Sequence, residues 1–310
     1  MTRRQAVARL GLVAGGIAVG GCGVATSMGA PVSPAPAFAD IDLRIGAVRV
    51  RSVRTGAVAV KAAHRALVGP AATRLPSIVM DPRWTPWLPV TAWLVEHPER
   101  TVLVDAGETP RVAEPGYFAC NAASAFVYER LLRFDVPRGI AAGLHALGVP
   151  PGALDAVVVT HLHSDHAGGL GELAGVEVLA SRATAERPPP GALPCRWPRG
   201  FALTPLDYRD GAWGAFETSR ALVPDGTVRA VPTPGHTRGH QSVLISDGSR
   251  WLCLAGDASF DRAQVEAGRV AGICENVAAA RRTLAVLREQ FGAPTVYLAS
   301  HDAAPDLSVI

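Results

Sequence analysis

The sequence predicts one domain of mixed α-helices and β-strands, an α/β fold, that follows an export segment. The chain has 310 residues, of which 48% are hydrophobic and 18% are charged, and this is ample apolar side chain for one large core. Short stretches of alternating apolar and polar residues predict strands, and a few longer segments predict helices between them. The 32 glycines and 25 prolines are typical of a chain with many turns.

The first 39 residues predict an export signal and a short tether, and residues 40–310 form the predicted domain. Arg3 and Arg4 precede a mildly apolar stretch that is too short and too rich in Gly and Ala to span a bilayer. The paired arginines resemble a twin-arginine export signal. The run Val19–Cys22 resembles a lipobox, in which Cys22 is lipidated and becomes the first residue of the mature protein.

This segment contains two candidate cleavage sites, which would give different mature N-termini. Cleavage before Cys22 produces a lipoprotein of the cell envelope, with the proline-rich residues 31–36 as a stiff tether. Cleavage after the Ala-Phe-Ala of residues 37–39 releases a periplasmic or extracellular protein. The second cut lies far from the apolar stretch, so we favour the first. A cytoplasmic protein with a frayed tail is the remaining alternative.

The charge of the exported chain argues against nucleic acid as a partner. The sequence contains 30 Lys and Arg against 27 Asp and Glu, and Arg3, Arg4 and Arg9 belong to the removable segment. Without these three arginines the opposite charges are equal in number, so no long-range field attracts a polyanion.

The first half of the domain begins with strands and continues with helices. Residues 40–66 alternate apolar and polar side chains in short stretches, as half-exposed antiparallel strands do. Residues 88–95 and 101–104 predict a hairpin, because a turn-forming run separates two apolar stretches. Residues 122–133 and 138–147 predict helices.

The second half alternates strands with one longer helix. Residues 155–160 predict a buried strand, because residues 156–159 are all apolar. The remaining elements are strands at 228–232, 241–245, 251–255 and 295–299 and a helix at 276–290.

Four of these strands end in histidine or aspartate. Strand ends at one rim of a sheet are where a fold brings distant residues together. We therefore expect seven nitrogen and oxygen donors to meet there: His161, His163, Asp165, His166, His236, Asp257 and His301.

The densest group is the H-x-H-x-D-H run of residues 161–166. His161 and His163 flank one residue, so both imidazoles can reach one metal ion, while Asp165 and His166 can face a second one. Such a six-residue pattern arises by chance in a chain of this kind less than about once in a thousand. The alternative is a set of surface histidines in a polar loop.

The order of these motifs resembles the metallo-β-lactamase superfamily of hydrolases. The H-x-H-x-D-H run and Gly-Gly are followed by Pro-Gly-His at 234–236, Gly-Asp at 256–257 and Ser-His at 300–301. The resemblance covers about residue 41 to the C-terminus and implies an αβ/βα four-layer sandwich. Residues 233–242 and the Asp-Ala-Ser at 257–259 are most similar to N-acyl homoserine lactonases.

This resemblance implies a dinuclear metal site. His161, His163 and His236 hold one ion, Asp165, His166 and His301 hold the other, and Asp257 bridges them. Imidazole and carboxylate without thiolate suit Zn²⁺, and also iron, manganese or cobalt. A hydroxide between the two ions attacks a lactone carbonyl, and Asp165 passes a proton to the leaving alkoxide.

Several further residues are assigned roles around this site. Asp105 orients a ligand histidine or serves as a turn residue at a strand end, and His240 supports a ligand or acts only locally. The lactonases that the chain resembles carry a tyrosine after Asp-Ala-Ser, whereas this sequence has Phe260. Four aromatic residues are candidates for an acyl-chain pocket, although ordinary packing also explains them: Trp87, Tyr117, Phe118 and Phe260.

The remaining cysteines do not suggest a thiolate metal site, because none has C-x-x-C spacing. Cys253 lies in an apolar run and is expected to be buried. Cys120, Cys195 and Cys274 are left, and the sequence does not pair them.

Three functions are consistent with these observations. The first is a metal-dependent lactonase acting on a small molecule such as an N-acyl homoserine lactone. The second keeps the metals but hydrolyses another ester, a glyoxalase II-like thioester or a phosphotriester. The third is a metal-binding lipoprotein without catalytic activity.

Overall fold

Two β-sheets pack face to face at the centre of the fold, and helices cover their outer faces. The computed structural model describes residues 26–309. The predicted export signal, with Arg3, Arg4 and Cys22, lies outside the described residues.

The first sheet contains eight strands. They are β1 (Asp42–Ile45), β2 (Val48–Val60), β3 (Leu88–His97), β4 (Arg100–Val104), β5 (Leu132–Asp135), β6 (Ala156–Val158), β7 (Val178–Ser181) and β8 (Thr204–Leu206). Their order is β1-β2-β3-β4-β6-β7-β8, and β5 pairs with β2. The pairs from β1 to β4 are antiparallel, whereas β4, β6, β7 and β8 run parallel to one another.

The second sheet contains five strands. They are β9 (Arg220–Ala221), β10 (Val228–Pro232), β11 (Gln241–Ser246), β12 (Trp251–Gly256) and β13 (Thr295–Ala299). The order is β13-β12-β11-β10-β9, and only β12 and β13 are parallel.

The helices are short except for the last one. They are α1 (Ala62–Arg65), α2 (Arg74–Met80), α3 (Ala122–Phe126), α4 (Ile140–Ala146), α5 (Ser164–Ala167), α6 (Arg182–Glu186), α7 (Arg262–Glu266) and α8 (Val277–Gln290). Five 3₁₀ segments and one π-helical turn connect them: Ala71–Thr73, Pro110–Ala113, Val127–Leu131, Pro151–Ala153, Gly168–Glu172 and Pro194–Arg196. Among the described residues no helix has both the length and the apolar character needed to cross a membrane.

The core has three main layers of apolar side chains. Trp93 of the first sheet and Val243 of the second belong to the layer between the sheets. Leu144 of α4 packs on the outer face of the first sheet, and Leu284 and Leu287 of α8 pack on the outer face of the second. The result is the helix–sheet–sheet–helix sandwich that the resemblance implies, so the predicted fold class is confirmed.

Most of the predicted elements occur within a few residues of their expected bounds. The clearest difference lies in residues 122–133, which were expected to form one helix. α3 and the π-helical turn end at Leu131, and the chain from Leu132 onward pairs with β2 as β5. The long-range ladder overrides local helix propensity there, because the apolar residues of this segment also suit a strand. The elements that were not predicted are α1, α2, α5, α6, α7, β7, β8 and β9.

The predicted tether lies against the domain. Ser27 and Trp84 exchange two backbone hydrogen bonds, and the Trp87 indole donates a hydrogen bond to the Val32 carbonyl oxygen at 3.0 Å. Ala30, Ala35 and Phe38 pack on the cluster that contains both tryptophans. Residues 26–39 therefore cover apolar surface of the domain.

Cys120 and Cys195 form a disulfide, which settles a pairing that the sequence left open. Their Cα atoms are 5.8 Å apart and 75 residues separate them along the chain. Cys253 and Cys274 are free and buried.

Candidate metal centre and its cavity

The seven predicted donor residues follow four strands that end at one rim of the sandwich. His161 follows β6, His236 follows β10, Asp257 follows β12 directly and His301 follows β13. β6 belongs to the first sheet and the other three strands belong to the second. The two sheets therefore each contribute donors to one location.

Three imidazole nitrogens converge in a first group. His236 Nε2 lies 3.1 Å from His161 Nε2 and 2.9 Å from His163 Nδ1, and the last two atoms are 3.1 Å apart. A ring nitrogen that carries a proton can donate it to only one of the other two nitrogens, so hydrogen bonds cannot account for all three contacts. Three ring nitrogens at these distances instead have the geometry of lone pairs directed at a common cation.

A second group contains Asp165, His166 and His301. His301 Nε2 lies 3.3 Å from Asp165 Oδ2, and His166 Nε2 lies 4.0 Å from Asp165 Oδ1. α5 begins at Ser164, so Asp165 and His166 are adjacent in its first turn, and both are buried. One short helical turn thus redirects the chain from the first group to the second.

Asp257 lies between the two groups. Its Oδ2 atom is 3.4 Å from His236 Nε2 in the first group. Its Oδ1 atom is 3.2 Å from His166 Nε2 and 3.4 Å from His301 Nε2 in the second group. Each carboxylate oxygen therefore faces one donor set, as the predicted bridging position requires.

The second nitrogen of each of the five histidines is held by a neighbouring acceptor. This arrangement fixes the tautomer, because the nitrogen that donates a hydrogen bond leaves the other one with its lone pair. The contacts are His161 Nδ1 with Thr160 Oγ1, His163 Nε2 with Pro190 O, His166 Nδ1 with Asp105 Oδ2, His236 Nδ1 with Ile273 O and His301 Nδ1 with Pro89 O, at 2.8–3.1 Å.

Asp105 connects two of these histidines. Its Oδ2 atom accepts hydrogen bonds from His166 Nδ1 at 2.8 Å and from Thr160 Oγ1 at 2.9 Å. The Thr160 hydroxyl in turn accepts the hydrogen bond of His161 Nδ1. Asp105 has a φ of 63°, a left-handed conformation that aspartate tolerates better than most residues. Of the two roles considered for Asp105, the contacts match the orientation of ligand histidines.

His240 contacts the backbone of Asp257 and lies outside the donor groups. Its Nε2 atom accepts a hydrogen bond from the Asp257 backbone N–H at 3.0 Å, and Nδ1 donates to Thr233 Oγ1 at 2.8 Å. Both ring nitrogens are therefore used. His240 holds the backbone of the residue between the two donor groups, which is the supporting role that the spacing suggested.

The protonation states of the first donor group and of Asp257 suit cation binding, and at His166 and His301 the nearby carboxylates, chiefly Asp257, outweigh burial and raise the pKa. Burial lowers the pKa of His161, His163 and His236, so these imidazoles are neutral at pH 7. Burial alone raises the pKa of Asp257, but the His166 and His301 imidazoles outweigh it and hold this pKa well below its usual range. The carboxylate is therefore ionised.

The residues present fit a pair of divalent metal ions. Among the described residues, three overlapping sets of donor atoms lie within 4.8 Å of one another: His161, His163 and His236; His161, His166 and Asp257; and Asp165, His166 and His301. His166 Nε2 and Asp257 Oδ1 are buried 3.2 Å from each other, and neither atom forms a hydrogen bond with the described residues. Buried polar atoms of this kind need a partner, and a cation between imidazole and carboxylate supplies one.

A cavity of about 400 Å³ opens directly onto these donors. One end of the cavity is lined by donor residues: His163, Asp165, His236, Asp257 and His301. The remaining wall is mostly apolar and comes from distant parts of the chain: Val60, Leu75, Val127, Leu132, Phe260 and Ile273. An apolar cavity with a few polar groups at one end is typical of a small-molecule site.

Of the four aromatic residues predicted to line this cavity, only Phe260 does so. Trp87 is buried under the N-terminal segment, where its indole meets Val32. Tyr117 and Phe118 are core residues that do not reach the cavity. Phe118 instead stacks on Tyr128, with ring centroids 4.7 Å apart, so it supports the wall from behind.

Tyr128 and His64 line the cavity and were not predicted to do so. Tyr128 lies in a segment expected to be an ordinary helix, and His64 belongs to none of the motifs that the sequence contains. No local pattern in the sequence marks either residue, because only the packing of α1 and of the π-helical turn brings them to the site.

Comparison with known proteins identifies the family. The profile of the Metallo-beta-lactamase superfamily matches residues 85–301, which is more than half of the chain. The chain belongs to the metallo-β-lactamase superfamily. The predicted membership and the assignment to the hydrolases are therefore confirmed, and the centre described above lies within the matched residues.

Similar sequences include several lactonases. The N-acyl homoserine lactonase AttM of Azorhizobium caulinodans is 30% identical over 233 residues, which cover 70% of this chain and 84% of that protein. An N-acyl homoserine lactonase of a Bacillus species is 31% identical over 58% of this chain and 67% of its own length. A probable metallo-hydrolase of Mycobacterium tuberculosis is 29% identical over 56% of this chain.

Solved structures share the fold. An N-acyl homoserine lactone hydrolase with the product N-hexanoyl-L-homoserine at its catalytic metal centre aligns with a TM-score of 0.64 and 22% identity, over 82% of this chain and 92% of its own. The dizinc quorum-quenching lactonase AidC aligns with a TM-score of 0.57 and 15% identity, over 85% and 90%.

Proposed function

We propose that this chain is a dinuclear metal-dependent lactonase that opens the ring of N-acyl homoserine lactones. The observation that carries the proposal is the position of Asp257 between two donor groups at the end of an apolar cavity. The sequence similarity to N-acyl homoserine lactonases supports the lactone as substrate, and the apolar wall suits an acyl chain.

His161, His163 and His236 are proposed to hold one ion, and Asp165, His166 and His301 the other, with Asp257 shared. The donor set of imidazole and carboxylate favours Zn²⁺. When bound, such ions polarise a carbonyl oxygen and lower the pKa of a water molecule so that it can react near pH 7.

The protein residues position the substrate and move the proton. Water oxygen adds to the lactone carbonyl carbon, the ring C–O bond breaks, and the products are a hydroxyl group and a carboxylic acid, which releases one proton to the solvent and becomes a carboxylate. Asp165 lines the cavity next to His301, so its carboxylate can take a proton from the attacking water and give it to the leaving ring oxygen. The apolar wall holds the acyl chain and excludes bulk water.

A substrate panel tests this proposal. Metal content and hydrolysis rates are measured for protein loaded with Zn²⁺, using N-hexanoyl and N-decanoyl homoserine lactones, a phenyl ester, a thioester, a phosphotriester and a β-lactam. We expect about two metal ions per chain, the highest kcat/KM for the lactones, and loss of activity after chelation. Faster turnover of the thioester or phosphotriester would replace the lactone as substrate, and metal binding without turnover of any ester would indicate a scavenging role.

We also propose that the protein is exported by the twin-arginine route and anchored through Cys22. The docking of residues 26–39 supports cleavage before Cys22, because cleavage after Ala39 removes Ala35 and Phe38 from the apolar surface around Trp84 and Trp87, and the Val32 carbonyl oxygen from the Trp87 indole. Mass spectrometry of protein from membrane and soluble fractions tests this. A lipid-modified N-terminal Cys22 is expected, and a mature chain that begins at Asp40 would contradict it.

A further inference from the structure

The polar side chains along the cavity wall differ in whether they are free to bind a ligand. Ser124 Oγ donates to the Phe118 carbonyl oxygen at 3.0 Å. The Tyr128 hydroxyl donates to the Gly191 carbonyl oxygen at 2.6 Å and accepts from the Ser164 N–H at 3.1 Å. Phe260, the ring next to His301, has no polar atom. Ser124 and Tyr128 can therefore donate a hydrogen bond to a ligand only by breaking an existing one, and Phe260 cannot donate at all.

His64 is the exception among the buried residues of this wall. Its side chain is 8% exposed, it lines the cavity, and its Nδ1 atom is buried without a partner. Neither ring nitrogen forms a hydrogen bond with the described residues. Burial lowers the pKa of His64 to about 4, so the ring is neutral at pH 7 and carries one N–H donor and one lone-pair acceptor.

His64 is close to the metal centre but does not belong to it. Its ring contacts the edge of Phe260, with centroids 6.4 Å apart and planes at 83°. Phe260 stacks in turn on His301, at 5.7 Å and 30°. The imidazole therefore lies beyond Phe260, where the polar end of the cavity meets the apolar wall that includes Val60 and Ile273.

The backbone around His64 is held firmly against the Phe260 segment. Gln264 Oε1 accepts from the Phe260 N–H, and Gln264 Nε2 donates to the Arg65 carbonyl oxygen, both at 2.9 Å. The Ile273 N–H donates to the His64 carbonyl oxygen at 3.1 Å. A donor that is fixed before the ligand arrives loses little conformational freedom on binding.

We propose that His64 hydrogen-bonds the amide group that joins the acyl chain of the substrate to its lactone ring. This inference rests on the proposed lactonase function and adds a determinant of specificity to it. With the ring at the metal centre and the chain along the apolar wall, the amide falls at the junction that His64 occupies. An amide offers one acceptor and one donor, which match the donor and acceptor of a neutral imidazole.

The test compares two lactones that differ in this amide. Metal-loaded parent, His64→Phe and His64→Gln are assayed with N-hexanoyl homoserine lactone and with an alkyl γ-lactone of similar length. We expect His64→Phe to lower kcat/KM for the N-acyl lactone by roughly 10–100-fold and to leave the alkyl lactone nearly unchanged. His64→Gln keeps a donor and an acceptor and is expected to recover part of the loss.

Binding of ring-opened N-hexanoyl-L-homoserine, measured by calorimetry on the same metal-loaded proteins, provides a readout without turnover. His64→Phe is expected to weaken it by a similar factor. His145→Gln, on the exposed surface of α4, is the matched control and is expected to match the parent. Metal content and thermal unfolding establish that each variant is folded and loaded.

The outcomes separate this inference from the proposed function. Equal losses on both lactones, or no loss on either, would overturn the role of His64 while leaving the lactonase function intact. A parent enzyme that hydrolyses the alkyl lactone but not the N-acyl lactone would overturn both the role of His64 and the N-acyl homoserine lactone as substrate, and would leave a lactonase of other substrates. A parent that hydrolyses neither lactone would overturn the lactonase function and the His64 inference with it.

Discussion

The donor cluster and the cavity wall next to it are built in different ways. The donors follow strand ends, and each histidine is fixed by a backbone carbonyl, a carboxylate or a hydroxyl group, such as His301 by the Pro89 carbonyl oxygen and His166 by Asp105. The wall comes from helices, connections and the ends of β2 and β5, and some of its residues, such as Leu75, are half exposed. We infer that the cluster tolerates almost no substitution, whereas the wall can change and alter substrate preference.

The largest expected effect comes from removing the shared carboxylate. Asp257→Ala leaves His166, His236 and His301 without the group that separates them, so we expect loss of at least one metal ion and a fall in kcat on the order of 1,000-fold. Metal analysis and steady-state kinetics measure both quantities. Glu217→Gln, at an exposed acid, is the control. Full activity in Asp257→Ala would refute the bridging role.

The disulfide tests whether the wall depends on a covalent link. Cys120 and Cys195 close a long loop, and Cys120 immediately precedes Asn121 on the cavity wall. Replacing both cysteines with serine is expected to lower the free energy of unfolding by about 2–4 kcal/mol. Urea denaturation of the oxidised parent and the double variant measures the difference. Equal unfolding midpoints would show that noncovalent packing alone holds this part of the wall.

Asp105 tests how far the cluster depends on its supporting contacts. Asp105→Asn keeps the size and tolerates the positive φ, but it weakens the acceptor for His166 Nδ1 and the Thr160 hydroxyl. We expect metal affinity to fall by roughly 10–100-fold while the fold is retained. Competition with a chromogenic chelator measures the affinity. Unchanged affinity would mean that packing alone orients His166.

The smallest expected effect lies on the wall. Leu75→Ser removes apolar area that the acyl chain of a long substrate covers, so we expect kcat/KM to fall a few-fold for the N-decanoyl lactone and hardly at all for the N-butanoyl lactone. Met80→Ser on the same helix is exposed and away from the cavity, and it serves as the matched control. Equal losses for both chain lengths would place the acyl chain elsewhere.

The donor residues could be predicted from the sequence because a metal centre requires particular side chains at particular strand ends. The H-x-H-x-D-H run needs one extended turn and one turn of α5 to aim its side chains, and both are local features. His236, Asp257 and His301 each follow an apolar strand, so their common location followed from the fold that the motifs implied.

The residues of the cavity wall could not be predicted from the sequence, because they come together only through tertiary packing. The Phe118 ring was expected in the cavity, but it stacks on Tyr128 behind the cavity wall. Trp87 is covered by the N-terminal segment. No spacing rule connects His64 to Phe260, because α1 reaches that segment through Gln264, about 200 residues later in the chain. The disulfide partner of Cys120 was likewise decided only in three dimensions.

By itself, the sequence determined the α/β class and the candidate metal donors, because hydrophobic periodicity and ligand side chains are local features, and the order of its motifs indicated the superfamily by resemblance. Tertiary structure alone decided which residues enclose the cavity, that Leu132 begins a strand rather than ending a helix, and that His64 stands unpaired beside Phe260. These features depend on long-range packing, in which many weak contacts form together. No short segment of the sequence determines them by itself.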